Sequence, residues 1–245
     1  MNNKKNVLIF SPHPDDEAIA CGGTIANLIA EGYDVQVVFV TDGSHSHLAV
    51  LGIEHNPTPA ELAFIRQKEA QKSVSTLGVP SGNVMFIGIE DTQLHASKEK
   101  ASSSIKAILS AQNHIDAIYM PHEKLEMHSD HRYTGELIID ALTQLKLQPT
   151  LYKYVVWDAQ TEKEFDFENR ADLQQEHNTN EEKIILDVTP YLAIKVAAFK
   201  QHKTQVDLFS PQQTKPVVPI EFQKRRVEQA NIEEFWLHQY GNRQE

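Results

Sequence analysis

Cysteine is nearly missing from this chain. Its 245 residues include one, Cys21, so no internal disulfide can form. Long apolar runs are missing too, since no window approaches the roughly 20 apolar residues that a membrane-spanning helix needs. Positive charge is scarce: 23 lysines and arginines stand against 34 aspartates and glutamates, a formal net charge of -11. Such a chain repels polyanions, so neither nucleic acid nor a membrane is an expected partner. No stretch repeats at a fixed period, which excludes a solenoid. Met1 to Lys5 leads into Val7-Leu8-Ile9-Phe10 without the apolar core and small-residue cleavage site of a signal peptide. The expected location is therefore the cytoplasm.

What is present suits one large α/β domain over residues 1–245, because 40% hydrophobic side chains at this length can bury a real core. Val7 to Phe10 reads as a short buried strand, followed by a turn at 11–14 and a helical stretch from Glu17 to Ala30 that Gly32 ends. Val35 to Val40 reads as a strand. A long loop then runs from Thr41 to Pro59, and a helix spans about Ala60 to Leu77. Asn83 to Ile87, Lys98 to Ala111 and Asp116 to Met120 continue the alternation. Strands separated by helices at this spacing predict a mostly parallel sheet with helices on both faces. Arg132 to Leu145 reads as a helix with Ser129 as its N-cap, and Leu151 to Trp157 alternates like a strand. Ala159 to Lys183 is acidic, rich in Gln and Asn, and predicts a surface excursion with a hairpin around Phe165 and Phe167. Pro190 to His202 returns to helix, and Phe235-Trp236 reads as packing.

Two short motifs carry the chemistry. His13-Pro14-Asp15-Asp16-Glu17 directly follows the first strand, and His128-Ser129-Asp130-His131 follows the strand ending at Met120. Ligands in parallel sheets gather outside the carboxyl ends of the strands, so both motifs belong at one rim. Two histidines and a carboxylate with one open position form a catalytic zinc site, and His13, Asp16 and His131 fit that requirement. Asp15 and Asp16 are adjacent carboxylates that repel unless a cation neutralises them. With Asp16 on the metal, Asp15 is the expected base toward water, and a protonated His128 the expected oxyanion partner. Asp130 is expected to orient a ligand or catalytic imidazole.

These motifs resemble those of the LmbE-like or PIG-L-like N-acetylglucosaminyl deacetylase family. The likeness is carried by Pro12-His13-Pro14-Asp15-Asp16-Glu17 and by His128 to His131. It continues through Gly22-Gly23-Thr24, Thr41-Asp42-Gly43, Arg66 with Glu69, Asp91, and Lys195-x-x-x-Phe199-x-x-His202-x-x-Gln205. The resemblance implies a Rossmann-like three-layer α/β/α sandwich, zinc (or another divalent ion such as Fe2+) and an N-acetylglucosamine-type sugar or conjugate as substrate. It further implies substrate contacts at Arg66, Asp91 and His202, the last a late histidine near the pocket. Two positions depart from the pattern: Ser44 where many relatives carry glutamate, and Glu126 where aspartate is common. Both are expected to leave the metal site intact and to bear on the substrate.

Plainer readings stand beside these. Arg66 and Glu69 at i, i+3 on a helix form an ordinary surface ion pair. Asp130 merely favours a helix N-terminus, and His128 is a solvated loop histidine. His45, His47 and His55 share a flexible surface loop. Cys21 is a small buried thiol, and Tyr154 and Trp157 pack, with a rim aromatic able to stack on a sugar. The alternative functions are an amidase or N-deacylase acting on a non-sugar metabolite, and a non-catalytic nucleotide-binding module, for which Gly22-Gly23 lacks the Gly-x-Gly-x-x-Gly spacing. The partner expected is a small N-acylated amino-sugar substrate, with a homo-oligomer left open.

Overall fold

The computed structural model describes residues 4–165 and 181–240. Its centre is a seven-stranded sheet built from β1 (Asn6–Ser11), β2 (Asp34–Thr41), β3 (Val84–Ile89), β4 (Ala117–Pro121), β5 (Thr150–Tyr154), β6 (Glu182–Asp187) and β7 (Ile232–His238). The spatial order is β3-β2-β1-β4-β5-β7-β6. β1 to β5 are parallel, whereas β7 runs antiparallel to both β5 and β6. The helices are α1 (Asp16–Ala30), α2 (Ser46–Leu51), α3 (Pro59–Thr76), α4 (Lys98–Ser110), α5 (Ser129–Leu145), α6 (Ala159–Glu164), α7 (Leu192–Phe199), α8 (Lys203–Val206) and α9 (Ile220–Gln223).

Strand side chains alternate between two faces, and each face has its own core. Val7, Ile9, Val37 and Phe39 point to one side, where α1, α3 and α7 bring Ile25, Val74 and Phe199. Leu8, Phe10, Val38 and Val40 point to the other, where α4 and α5 bring Ile105, Leu109, Ile138 and Leu142. Burial on both faces explains why β1 and β2 read as unbroken apolar runs rather than as alternating strands. The three-layer arrangement with a mostly parallel sheet is the one the alternation predicts.

This order places the site. The chain steps outward from β1 to β2 to β3, then returns to lay β4 on the free side of β1. The crevice beyond the carboxyl ends of β1 and β4 is therefore the point where strand order reverses, the usual place for a ligand in such sheets. Ser11 ends β1 and Pro121 ends β4, so both motifs open onto this crevice.

Several sequence expectations change. The interval from Thr41 to Pro59 holds α2, and within it His47 is 1% exposed, with its Nε2 2.9 Å from the Thr204 carbonyl oxygen. α3 starts at Pro59 because Thr58 and Glu61 form a reciprocal capping box, which ends the loop at Thr58. Residues 182–187 pair with β7 as a strand instead of extending a surface excursion, and Phe165 closes α6 as a buried residue. Phe167 and the middle of that excursion lie outside the described residues. At α5 the N-cap is His128, not Ser129. Among the described residues no helix is long and apolar enough to cross a membrane.

Candidate active site

The turn after β1 and the start of α5 bring three donor atoms together. His13 Nδ1 lies 3.1 Å from His131 Nε2, His131 Nε2 lies 3.1 Å from Asp16 Oδ2, and His13 Nδ1 lies 3.4 Å from Asp16 Oδ2. Donors about 2.0–2.2 Å from a tetrahedral ion stand roughly 3.3–3.6 Å apart, so this triangle fits a small divalent ion with little adjustment. The turn is fixed locally: the His13 N–H donates to Asp16 Oδ2 at 2.9 Å, and the Ser11 hydroxyl donates to the His13 carbonyl at 2.6 Å.

The far nitrogens of both imidazoles meet carboxylates, the arrangement that fixes the tautomer and direction of a ligating histidine. His13 Nε2 lies 3.1 Å from Asp91 Oδ1 and 3.4 Å from Asp130 Oδ2. Asp130 is itself held by the Thr92 N–H at 2.9 Å, and Asp91 by the His45 N–H at 3.1 Å. His131 Nδ1 lies 3.1 Å from Glu126 Oε1, and the N–H groups of Val156 and Trp157 donate to the same carboxylate at 2.7 and 2.9 Å. Glu126 thus acts on a candidate ligand, whereas the sequence pattern pointed it at the substrate. Burial opposes charge on His131, yet the Asp16 and Glu126 carboxylates overcome it and push its pKa up to about 9.

Asp15 sits at the head of α1 with φ 145°, a conformation that costs a non-glycine residue about 1–3 kcal/mol. Its surroundings hold it there. Its N–H donates to Glu17 Oε2 at 2.9 Å, and its carboxylate meets Arg66 Nη2 at 3.2 Å. Burial raises the Asp15 pKa, Arg66 lowers it and Asp16 raises it again, leaving it at about 6. Arg66 is 2% exposed and also donates to the carbonyls of Gly43 and Pro14. Gly43, at φ 65°, is required here, because any side chain would run into the guanidinium.

The Arg66–Glu69 pair is not made. Glu69 turns instead to the Thr204 N–H and hydroxyl, at 3.0 and 2.6 Å. His202 departs from its expected place on the substrate side. It is fully buried beneath the turn, its Nε2 lies 2.8 Å from Glu17 Oε1, and it does not line the cleft. Through Glu17, which also accepts from the Ser73 hydroxyl at 2.7 Å, it supports the backbone of Asp15.

His128 does face the cleft, with its ring 4.9 Å from His13 and 5.2 Å from Trp157. Burial first, then the positive His13 and His131, push its pKa down to about 3. In the metal-free protein this favours a neutral imidazole that can offer one N–H, where the sequence expectation was an imidazolium. The cleft has a volume of about 360 Å³, with His13, Asp15, Asp16, Arg66, Asp91 and His128 at its polar end. Glu126 as a support and α2 as a wall leave little trace in the sequence, beyond the Glu-x-His spacing from 126 to 128.

Residues 8–142 match the family model described as PIG-L: GlcNAc-PI de-N-acetylase. Diacetylchitobiose deacetylase of Thermococcus kodakarensis is 35% identical over 143 residues, 58% of this chain and 51% of that one, so the match spans about half that relative's length. A probable N-acetyl-alpha-D-glucosaminyl L-malate deacetylase 2 of Bacillus anthracis is 24% identical over 99% of both chains. The solved N,N'-diacetylchitobiose deacetylase from Pyrococcus horikoshii shares the fold, with a TM-score of 0.66, 24% identity and coverage of 97% of this chain and 85% of that one.

Proposed function

Because this chain belongs to the PIG-L (GlcNAc-PI de-N-acetylase) family, we propose that it is a zinc-dependent N-deacetylase. As one domain, it removes the acetyl group from an N-acetylglucosamine-type sugar or conjugate, in line with the named activities of its relatives. The observation that carries this reading is the meeting, in one cleft, of the His13, Asp16 and His131 donors with the Asp15 carboxyl poised near 6.

His13, Asp16 and His131 would hold the ion. When bound, it supplies positive charge beside the scissile carbonyl and acidifies a water molecule at neutral pH. Zinc suits this nitrogen and oxygen donor set; ferrous iron accepts the same donors, and elemental analysis separates the two. Asp15 takes the proton from the attacking water as its oxygen bonds to the amide carbon. The C–N bond then breaks and the Asp15 proton passes to the departing nitrogen, giving acetate and a free amine. Arg66 keeps the Asp15 carboxyl aimed, and a neutral His128 donates its N–H to the carbonyl oxygen as charge builds there. Asp91, Asp130 and Glu126 keep the two imidazoles in their ligating tautomers.

Acetate release from a panel of N-acetylated sugars, read beside metal content, tests the proposal. Metal-loaded protein that frees no acetate from any of them would overturn it. For the support role, Glu126→Gln is expected to weaken metal binding about 10–100-fold, measured by competition with a chelator. Unchanged affinity would show that Glu126 serves only the fold.

A further inference from the structure

The cleft has two chemically different ends. Beyond the polar end a file of aromatic rings leads away from His128: Trp157 at 5.2 Å, Phe165 4.7 Å from Trp157, and Phe222 5.6 Å from Phe165. Val50, Val217 and Val218 face the same space. Phe165, Phe222, Val217 and Val218 are each buried in the protein interior, so this is a packed wall and not a set of loose surface side chains. A hexose needs one ring face to stack on and several polar groups for its hydroxyls, and Trp157 with Ser46 and Gln205 meets that need. Phe165, Phe222, Val217 and Val218 lie beyond that set, and all are apolar.

Charge points the same way. Among the described residues that line the cleft, Arg66 is the only lysine or arginine, and its guanidinium is committed to Asp15, Gly43 and Pro14. Glu162, on the helix that Phe165 closes, adds a further carboxylate to the lining. Among the described residues that line this end, an anionic group meets carboxylates and no uncommitted cation.

We propose that this site takes an N-acetylated amino sugar bearing an uncharged, apolar aglycone, aryl or alkyl, and discriminates against anionic aglycones such as malate. The proposal rests on the deacetylase reading above and adds the substrate class. The test compares acetate release by the metal-loaded protein from the phenyl and octyl glycosides of N-acetylglucosamine, from its malate glycoside, from diacetylchitobiose and from the free sugar. The apolar glycosides are expected to exceed the others in kcat/KM by about tenfold or more. Val50→Lys, which places a cation at the wall, is expected to narrow the gap between phenyl and malate glycosides by a similar factor. A malate glycoside or diacetylchitobiose used as well as the phenyl glycoside overturns the proposal and leaves deacetylation standing. If no compound yields acetate, the deacetylase reading falls, and thermal shift with the same glycosides decides the selectivity. A rise in Tm with phenyl and octyl but not malate glycosides supports it, and equal shifts overturn it.

Discussion

An Asp15→Asn variant is expected to keep its full metal content while kcat falls about 10²–10⁴-fold, the usual contribution of a positioned general base. The separation follows from geometry. The three donor atoms that converge belong to His13, Asp16 and His131, and the Asp15 carboxylate faces Arg66 instead. Asparagine keeps the size of the side chain and a hydrogen-bond acceptor for Arg66, so the strained turn has no steric reason to rearrange. The pH profile gives a second readout. A base must be ionised to act, and burial with Asp16 nearby, offset by Arg66, leaves the Asp15 pKa at about 6. Wild-type kcat should therefore rise with pH up to about 6 and level off above it, and the variant should lack that ascending limb. A variant with nearly wild-type kcat, or one stripped of metal, would remove Asp15 from the proposed role.

The sequence made the centre of the site legible because its chemistry is local. A turn of four residues carries His13, Asp15 and Asp16, and four residues at the head of α5 carry His128, Asp130 and His131. The alternation of strands and helices then sufficed to put both at one rim. What stayed hidden depends on contacts between distant segments. Glu126 reaches His131 only because the chain after β5 folds back to offer two N–H groups to the same carboxylate. The i, i+3 spacing of Arg66 and Glu69 left a plain surface pair open beside the substrate contact implied at Arg66, but burial of α3 against the turn and against Thr204 gives each a separate partner. β6 holds only Ile184, Ile185 and Leu186 between charged ends, too short a run to mark a strand, and its place at the edge beside β7 is set by pairing with a distant segment. The insertion of β7 between β5 and β6 is likewise decided by long-range pairing, which leaves no periodic mark on residues 232–238.

His131→Ala is expected to empty the metal site and abolish measurable turnover, a different outcome from that at Asp15. His131 supplies the Nε2 donor and also stands between the buried Asp16 and Glu126 carboxylates, 3.1 Å from each. Its removal takes one ligand of three and leaves two buried carboxylates without their shared partner, which costs about 3–5 kcal/mol when a buried pair is broken. The metal-free protein reports this through pH. The His131 pKa is raised from 6.5 to about 9, so its charged form stabilises the fold fully below 6.5 and that contribution is lost as pH rises through 9. Metal-free wild type should therefore lose stability across that window, by an amount on the order of 3 kcal/mol. Metal should bind more tightly over the same range, because the proton it displaces is held less firmly. In urea titrations at a series of pH values, His131→Ala should show a shallower slope, keeping only the share of His13, which burial lowers but Asp91, Asp130 and Asp16 raise above its ordinary value. A metal-free wild type equally stable at pH 6.5 and 9 would mean that Asp16 and Glu126 do not hold a proton on this imidazole, and the balance of charge assigned to the ligand triangle would be wrong.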